Sequence, residues 1–304
     1  MKDFISLHEL SAEEVQKILD LAKDLKAKQK SGQPHEYLKG KTLAMIFEKP
    51  STRTRVSFEV GMWQLGGHTI NLAAEDIQPG MREPWADIGR TLSRYVDGIM
   101  MRTFGHEKVV ELAKYASVPV TNGLTDLMHP CQAISDLFTI LEKKGRLNGI
   151  KLAYIGDGNN VCHSLIHGAA KVGLELVVAS PKGYEPDKKI VKEALEDGGS
   201  IKLTNDPKIA AKDADVIYTD VWASMGQEKE AKKRAKAFKN YQVNSKLVKL
   251  AKEDVIIMHC LPAHRGEEIT AEVIDGPHSV VFDQAENRLH VQKAILTMLM
   301  GGKA

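Results

Sequence analysis

The chain has 304 residues, of which 42 are lysine or arginine and 40 are aspartate or glutamate, so its formal net charge is +2. Hydrophobic residues make up 43% of the sequence and charged residues 27%. This balance excludes a disordered or fibrous protein and gives no sign of a nucleic-acid-binding arm or an acidic tail. The length predicts two domains.

No apolar run approaches the roughly 18 residues that a membrane span needs. The first residues, from Met1 to Ser6, lack the apolar core of a secretory signal, so we expect a cytoplasmic protein that contacts no membrane. Cys131, Cys162 and Cys260 are widely spaced, which predicts neither a disulfide framework nor a thiolate metal cage.

Short β-rich runs alternate with segments of helical spacing along the whole chain. The predicted strands are Thr42–Phe47, Thr69–Leu72, Gly98–Arg102, Val118–Thr121, Lys151–Ile155, Glu175–Ala179, Val216–Thr219, Val255–His259 and Ser279–Phe282. Helix-start signals stand between them, such as the capping box of Ser11 with Glu14. The pattern predicts an α/β fold of two domains, each a parallel sheet flanked by helices.

A polar, glycine-containing stretch at residues 142–149 follows a long helical pattern, and we place the domain boundary there. The predicted first domain covers residues 1–145 and 285–304, because the last segment is expected to form a helix that packs back on it. The predicted second domain covers residues 146–284.

The segment after the first predicted strand suits an anion. It combines a helix N-terminus with hydroxyl and guanidinium donors, which together favour a phosphate group. The donors are Ser51, Thr52, Arg53 and Thr54. The alternative is an ordinary capped helix whose arginines, including Arg55, pair with Glu48 or Glu59.

Two further groups follow predicted strands, namely Arg102 and the segment that begins with His129 and Pro130. Ligands of open parallel sheets bind beyond the carboxyl ends of strands, so these groups are expected to converge with Arg53. Arg102 and His129 would then polarise a carbonyl oxygen. Taken singly, a surface ion pair and a structural histidine are the alternatives.

A glycine turn at Gly156 and Gly158 opens the second domain. Val161 stands where a dinucleotide-binding turn needs its third glycine, so a nicotinamide cofactor is disfavoured. Asn159 and Asn160 suit a small polar substrate instead, although one of the pair is expected to cap the helix.

Two later segments carry groups suited to an amino-acid substrate. Asp220 can anchor an amine and Ser224 the other end of the molecule, although a strand-end carboxylate is often only a helix cap. Cys260 is either a covalent nucleophile with His259 or His264 as its base, or a thiol that orients an amine. These three residues lack a fourth ligand for a metal, and none is expected.

Two remaining features have structural interpretations. The basic segment from Lys229 to Lys239, which includes Arg234, predicts a solvated helix face rather than a nucleic-acid site. Cys131 and Cys162 lie in helical patterns and are expected to pack in the core.

Five separated motifs together resemble the carbamoyltransferase family, and the resemblance spans nearly the whole chain. They are Ser51-Thr52-Arg53-Thr54-Arg55, His129-Pro130-Cys131-Gln132, Gly156-Asp157-Gly158-Asn159-Asn160, Asp220-Val221-Trp222-Ala223-Ser224-Met225-Gly226 and His259-Cys260-Leu261-Pro262. The Ser-Met-Gly and His-Cys-Leu-Pro elements resemble the members that act on ornithine rather than on aspartate.

The resemblance implies transfer of the carbamoyl group of carbamoyl phosphate to the δ-amine of L-ornithine, giving L-citrulline and phosphate without metal or cofactor. It implies that carbamoyl phosphate is bound by Ser51, Thr52, Arg53, Thr54, Gln78, Arg102, His129, Pro130, Cys131, Gln132, Cys260, Leu261 and Arg288. It implies that ornithine is held by Asn160, Asp220, Ser224 and Met225. The catalytic groups implied are Arg102, His129 and Cys260.

In this family the residue that Gln78 matches is lent to a neighbouring subunit, which implies a homotrimer or a multiple of trimers with shared sites. The segment after Gln78 departs from the family pattern at Ile88 and Gly89, and a glycine weakens a helix by about 1 kcal/mol relative to alanine. Two alternatives stay open, namely another amine acceptor such as putrescine or an N-acylornithine, and a catalytically silent subunit of the same fold.

Overall fold

The computed structural model describes residues 1–73, 77, 83–223 and 230–301. The strands are β1 (Thr42–Phe47), β2 (His68–Ala73), β3 (Gly98–Arg102), β4 (Val120–Leu124), β5 (Lys151–Ile155), β6 (Glu175–Ala179), β7 (Ser200–Thr204), β8 (Val216–Thr219) and β9 (Ile256–His259). The α-helices are α1 (Ala12–Lys30), α2 (Thr52–Gln64), α3 (Trp85–Leu92), α4 (His106–Tyr115), α5 (Pro130–Lys144), α6 (Asn160–Val172), α7 (Lys188–Glu196), α8 (Pro207–Ala211), α9 (Ala231–Phe238), α10 (Ser245–Val248), α11 (Ala271–Ile274) and α12 (Val281–Met300). None of the helices in these ranges is both long enough and apolar enough to cross a bilayer.

The chain divides into two compact units. Unit 1 consists of Met1–Phe138 and Asn287–Ala304, and unit 2 consists of Thr139–Glu286. Most of α12 therefore belongs to unit 1, as expected of a C-terminal helix that packs back. The division between the two units falls inside α5 and again inside α12. The domain boundaries after residues 145 and 284 stay a prediction.

Unit 1 contains a four-stranded parallel sheet in the order β2-β1-β3-β4. Phe47, the last residue of β1, lies beside Ala73 on one neighbour and Arg102 on the other. The chain leaves these strands at one edge, so the segments that follow β1, β3 and β4 all start there. Strand β3 is buried along its whole length, which suits a central strand covered on both faces.

Unit 2 contains a five-stranded parallel sheet in the order β7-β6-β5-β8-β9. The strand order changes direction between β5 and β8, which is where open parallel sheets form binding crevices. Thr219 at the end of β8 lies beside His259 at the end of β9, so the following residues, Asp220 and Cys260, are neighbours.

The strand predicted at Ser279–Phe282 is wrong. Ser279 forms only an isolated bridge with Ile257, and α12 begins at Val281. An apolar run this short does not distinguish a strand from the first turn of a buried helix. Strand β7 was missed; it is a short edge strand in which only Ile201 is buried. Strand β4 begins at Val120 rather than Val118.

Helix α3 forms although it contains Gly89. A Cβ atom on Gly89 would lie 3.1 Å from the carbonyl oxygen of Leu112 and 3.3 Å from the backbone nitrogen of Ala116. The glycine therefore lets α3 approach the backbone of α4 closely, which gives a packing reason for a residue that costs helix propensity.

Candidate active site

The first cluster of site residues lies at the N-terminus of α2 in unit 1. Ser51 is the N-cap, and its Oγ accepts a hydrogen bond from the backbone N–H of Thr54 at 3.2 Å. The same hydroxyl donates to Thr54 Oγ1 at 3.1 Å. The helix is thus capped, as the alternative interpretation expected, and its first turn also presents N–H groups that suit an anion.

Two guanidinium groups converge on Thr54. Arg102, at the end of β3, donates from Nη1 to Thr54 Oγ1 at 3.3 Å, and Arg288, from α12, donates from Nη2 at 2.9 Å. Arg102 is 5% exposed and Arg288 is 4% exposed. Because the shared acceptor is an uncharged hydroxyl, positive charge concentrates beside the N-terminus of α2.

The two arginines of α2, Arg53 and Arg55, differ in their exposure and in their surroundings. Arg55 is exposed and pairs with Glu59 at 3.1 Å, as the ordinary-helix interpretation predicted. Glu48, the other expected partner, pairs with Lys108 at 3.0 Å instead. Arg53 is partly buried and close enough to His129 for its charge to act on the imidazole, whereas Thr52 is exposed as the first residue of α2.

His129 immediately precedes α5 and is buried. Burial, followed by the charges of Arg288, Arg102 and Arg53, holds the pKa of His129 well below its usual value of 6.5. The imidazole is therefore neutral at neutral pH, and it can donate one hydrogen bond without adding a fourth positive charge.

The start of α5 brings Pro130, Cys131 and Gln132 next to His129. The Cys131 thiol donates to the carbonyl oxygen of Asn122 at 3.4 Å, and burial raises its pKa to about 12, as expected of a packing residue. Gln132 donates from Nε2 to Asp136 at 2.8 Å. Its buried Oε1 has no hydrogen-bond partner in the described ranges, so it is available to accept from a ligand.

The second cluster lies in unit 2 and is centred on Asp220, directly after β8. Oδ1 of Asp220 accepts from Cys260 Sγ at 2.9 Å and from the backbone N–H of Val221 at 2.8 Å. Oδ2 accepts from Asn159 Nδ2 at 2.7 Å. The buried carboxylate is therefore surrounded by neutral donors.

Asn159 holds both the start of α6 and the carboxylate of Asp220. Its Oδ1 caps α6 by accepting from two backbone N–H groups at 3.0 and 3.2 Å, and it accepts from Tyr154 at 3.1 Å. Its amide nitrogen is then left to hold Asp220. The sequence indicated a cap at one of the two asparagines but not that the capping residue also contacts the carboxylate. Asn160 is the first residue of α6.

The hydrogen bonds of His259 do not suit the role of a base for Cys260. Its Nδ1 accepts from the backbone N–H of Leu261 at 2.9 Å, so its proton is on Nε2, which donates to Glu268 at 3.1 Å. Both ring nitrogens are engaged, and His264 Nδ1 lies beside Glu267 and Glu268 instead. This geometry disfavours the nucleophile interpretation of Cys260. Leu261 adopts a positive φ of 57° before a cis peptide bond to Pro262.

Arg234 is not part of a solvated helix face, so that prediction is wrong for this residue. It is buried and donates to Asp157 at 2.8 Å and to the carbonyl oxygen of Trp222 at 2.9 Å. Burial raises the pKa of Asp157 to about 6, against the opposing effect of Arg234. A lone arginine among surface lysines gives no sequence signal of such a contact.

Gln78, Ser224 and Met225, which the sequence also predicted as site residues, lie outside the residues that the structure describes.

Comparisons with known proteins agree with this arrangement. Residues 2–142 match the family described as aspartate/ornithine carbamoyltransferase, carbamoyl-P binding domain, and residues 148–299 match its Asp/Orn binding domain. The ornithine carbamoyltransferase of Thermococcus kodakarensis is 61% identical, over 99% of this chain and 97% of that protein.

Two solved structures extend the comparison. The ornithine carbamoyltransferase from Pyrococcus furiosus is 60% identical with a TM-score of 0.96, over 100% of this chain and 98% of that one. The ornithine carbamoyltransferase from Thermus thermophilus is 46% identical with a TM-score of 0.89, over 99% of each chain.

The chain is a transferase with two parallel α/β units; in the first, two buried arginines converge on a helix start, and the second contains a buried carboxylate. The chain belongs to the aspartate/ornithine carbamoyltransferase family. The relatives cited here are all ornithine carbamoyltransferases, which confirms the resemblance to the ornithine members.

Proposed function

We propose that the chain transfers the carbamoyl group of carbamoyl phosphate to the δ-amine of L-ornithine, releasing L-citrulline and phosphate. The observation that carries the proposal is the convergence of Arg102 and Arg288 on Thr54 at the N-terminus of α2. Two buried cations and a row of backbone N–H groups suit a phosphate dianion. The activity named for the relatives supports the choice of acceptor.

Carbamoyl phosphate is proposed to bind in unit 1. Its phosphate takes hydrogen bonds from the start of α2, that is from Ser51, Thr52, Arg53 and Thr54, with Arg288 beside them. Arg102 and neutral His129 donate to the carbonyl oxygen, where negative charge develops during attack. Gln132 Oε1, held by the bond from Nε2 to Asp136, accepts from the carbamoyl NH₂ group. Pro130 and Cys131 contribute backbone only, since the Cys131 thiol is engaged with Asn122.

Ornithine is proposed to bind in unit 2, at Asp220 with Asn160, Ser224 and Met225. A free δ-ammonium group has a pKa near the lysine value of about 10.4 and must lose a proton before it can attack. Asp220 binds the amine, and the Cys260 thiol and the backbone at Leu261 orient it. The thiol already donates to Asp220, so it can shift to the incoming nitrogen without a covalent bond.

The chemistry balances without a cofactor. The nitrogen lone pair attacks the carbonyl carbon, a tetrahedral intermediate forms, and the carbon–oxygen bond to phosphate then breaks. The attacking nitrogen passes one proton to the departing phosphate, which also takes the electron pair of the broken bond. We expect the rate to rise with pH as the amine deprotonates, and positioning of both substrates to supply much of the acceleration.

We also propose a homotrimer, or a multiple of trimers, in which Gln78 serves a neighbouring site. The support is an exposed apolar face on unit 1, where Trp63 is 75% exposed, Val56 is 50% exposed and Ile70 is 41% exposed. Val56 and Trp63 are seven residues apart on α2 and therefore share a face. A cytoplasmic location fits the three free cysteines.

The first experiment measures citrulline formation from carbamoyl phosphate and ornithine, beside putrescine, N-acetylornithine and aspartate at equal concentrations. Turnover at least 100 times faster with ornithine is the expected result. Turnover with another acceptor would overturn the roles given to Asp220, Ser224 and Met225 but retain the phosphate site. No turnover with any acceptor, despite binding of carbamoyl phosphate, would indicate a silent subunit.

A further inference from the structure

One turn of unit 2 groups three ligating side chains outside the hydrogen bonds proposed for catalysis. His264, Glu267 and Glu268 each place one ligand atom within 4.8 Å of the others. His264 Nδ1 lies 3.9 Å from a carboxylate oxygen of Glu267 and 3.9 Å from Oε2 of Glu268. Imidazole nitrogen and carboxylate oxygen are both ligands of divalent transition metals.

The turn is fixed by its own backbone. Gly266 adopts a φ of +95°, which a residue with a side chain rarely adopts, and the N–H of Glu267 donates to the carbonyl of His264 at 2.9 Å. Arg265 is held away by two hydrogen bonds to Asp275 at 3.0 and 2.7 Å. The turn therefore brings residues 264, 267 and 268 close together, while Arg265 pairs with Asp275.

Glu268 supplies the second observation. It is 0% exposed, and its Oε1 accepts from His259 Nε2 at 3.1 Å and from the backbone N–H of His264 at 2.6 Å. Its Oε2, also buried, has no hydrogen-bond partner in the described part of the chain. Burying a carboxylate oxygen without a hydrogen-bond partner costs folding free energy, and a cation bound beside it offsets that cost.

The other two ligands lie at the protein surface. The side chain of His264 is 52% exposed and that of Glu267 is 60% exposed. Ligands at about 2.1 Å from a tetrahedral zinc ion lie roughly 3.4 Å apart, which follows from that bond length and the tetrahedral angle. The two 3.9 Å separations therefore need to close by only about half an ångström.

We propose that His264, Glu267 and Glu268 bind one divalent transition-metal ion, for which zinc is the best match, with water completing the coordination. This ligand set differs from His259, Cys260 and His264, which the sequence did not favour as a metal site. It also differs from a second grouping of Asp220, His259 and Cys260. There, both nitrogens of His259 already form hydrogen bonds, so a metal would have to break one of them.

The test titrates the full chain with zinc chloride by calorimetry, in a Cys260→Ser background that removes the thiol of the competing group. We expect one ion per chain, with the affinity lowered at least tenfold by His264→Asn and by Glu267→Gln. His68→Asn and Glu253→Gln change exposed residues elsewhere and serve as matched controls with unchanged affinity. Binding that is absent from the Cys260→Ser chain, or that persists in both ligand variants, would overturn the proposal.

A cobalt titration of the unmutated chain gives a readout that needs no substitution of buried Glu268. We expect a visible spectrum of nitrogen and oxygen ligation without a thiolate-to-cobalt charge-transfer band. A thiolate band that disappears in Cys260→Ser would place the ion at Asp220 and Cys260 instead, against the proposal.

Discussion

The two clusters of this molecule use opposite electrostatics. In unit 1, Arg102 and Arg288 converge on a hydroxyl, and burial, followed by the nearby arginine charges, lowers the pKa of His129 so that it is neutral. In unit 2, Asp220 is a buried carboxylate held by a thiol, an amide and a backbone N–H. The first cluster is therefore built from fixed positive charges, whereas the second consists of neutral donors placed around one negative charge.

The largest expected effect comes from removing a fixed charge in unit 1. Arg102→Met is expected to lower kcat/KM for carbamoyl phosphate about 100- to 1,000-fold, as the loss of one donor to a developing oxyanion does elsewhere. Arg55→Met is the matched control, because Arg55 is an exposed arginine of the same unit that pairs with Glu59 on α2. An equal loss in both variants would mean that general charge, not the converging geometry, binds the ligand.

Unit 2 contains a buried arginine, Arg234, which is expected to act on stability. Arg234→Gln leaves the buried Asp157 without its cation, and breaking such a pair costs about 3 kcal/mol of unfolding free energy. Because Trp222 precedes the segment with Ser224 and Met225, KM for ornithine should rise while KM for carbamoyl phosphate stays within twofold. Urea unfolding and steady-state kinetics measure the two effects, and exposed Lys233→Gln is the control.

The neutral donors of unit 2 are tested at Asn159. Asn159→Ser keeps a helix cap but removes the donor to Asp220, whereas Asn159→Asp keeps the cap and adds a like charge. We expect kcat/KM for ornithine to fall about tenfold in the serine variant and further in the aspartate variant, with stability within about 1 kcal/mol. Equal activity in the serine variant would show that Asp220 needs no such support.

The smallest effect is a pH dependence of stability. The pKa of His129 is lower in the folded chain than in the unfolded chain, so the unfolded chain binds the extra proton as pH falls below about 6.5. The free energy of unfolding is therefore highest above that pH, and it falls by about 1 kcal/mol between pH 6.5 and 5.5. His129→Gln should show a flatter profile in urea unfolding at these two pH values.

Much of the sheet architecture follows from the sequence because central parallel strands are short, β-rich and bounded by polar turns. Strands β3 and β5 were predicted to the residue. The start of α12 was not, because a short apolar run does not distinguish a strand from a buried helix. The edge strand β7 was overlooked although its five residues alternate between polar and apolar side chains.

The candidate site was predictable to a different degree in the two units. Helix-start chemistry is local in sequence, so Ser51 and its neighbours are recognisable as an anion site from their order alone. The bonds from Asn159 to Asp220 and from Arg234 to Asp157 join residues 61 and 77 positions apart. No local pattern encodes such pairs, so Asp220 was predicted as an amine-binding residue without the side chains that hold it.

Asn159 has a consequence for how this chain can evolve. Serine, threonine and aspartate all cap helices well, so selection for abundance alone would accept any of them at this position. Selection for activity demands a side chain whose oxygen caps α6 while its nitrogen reaches Asp220, and among the capping residues only asparagine offers both atoms. A scan of all substitutions should therefore find position 159 permissive when cells report protein level and restrictive when they report growth.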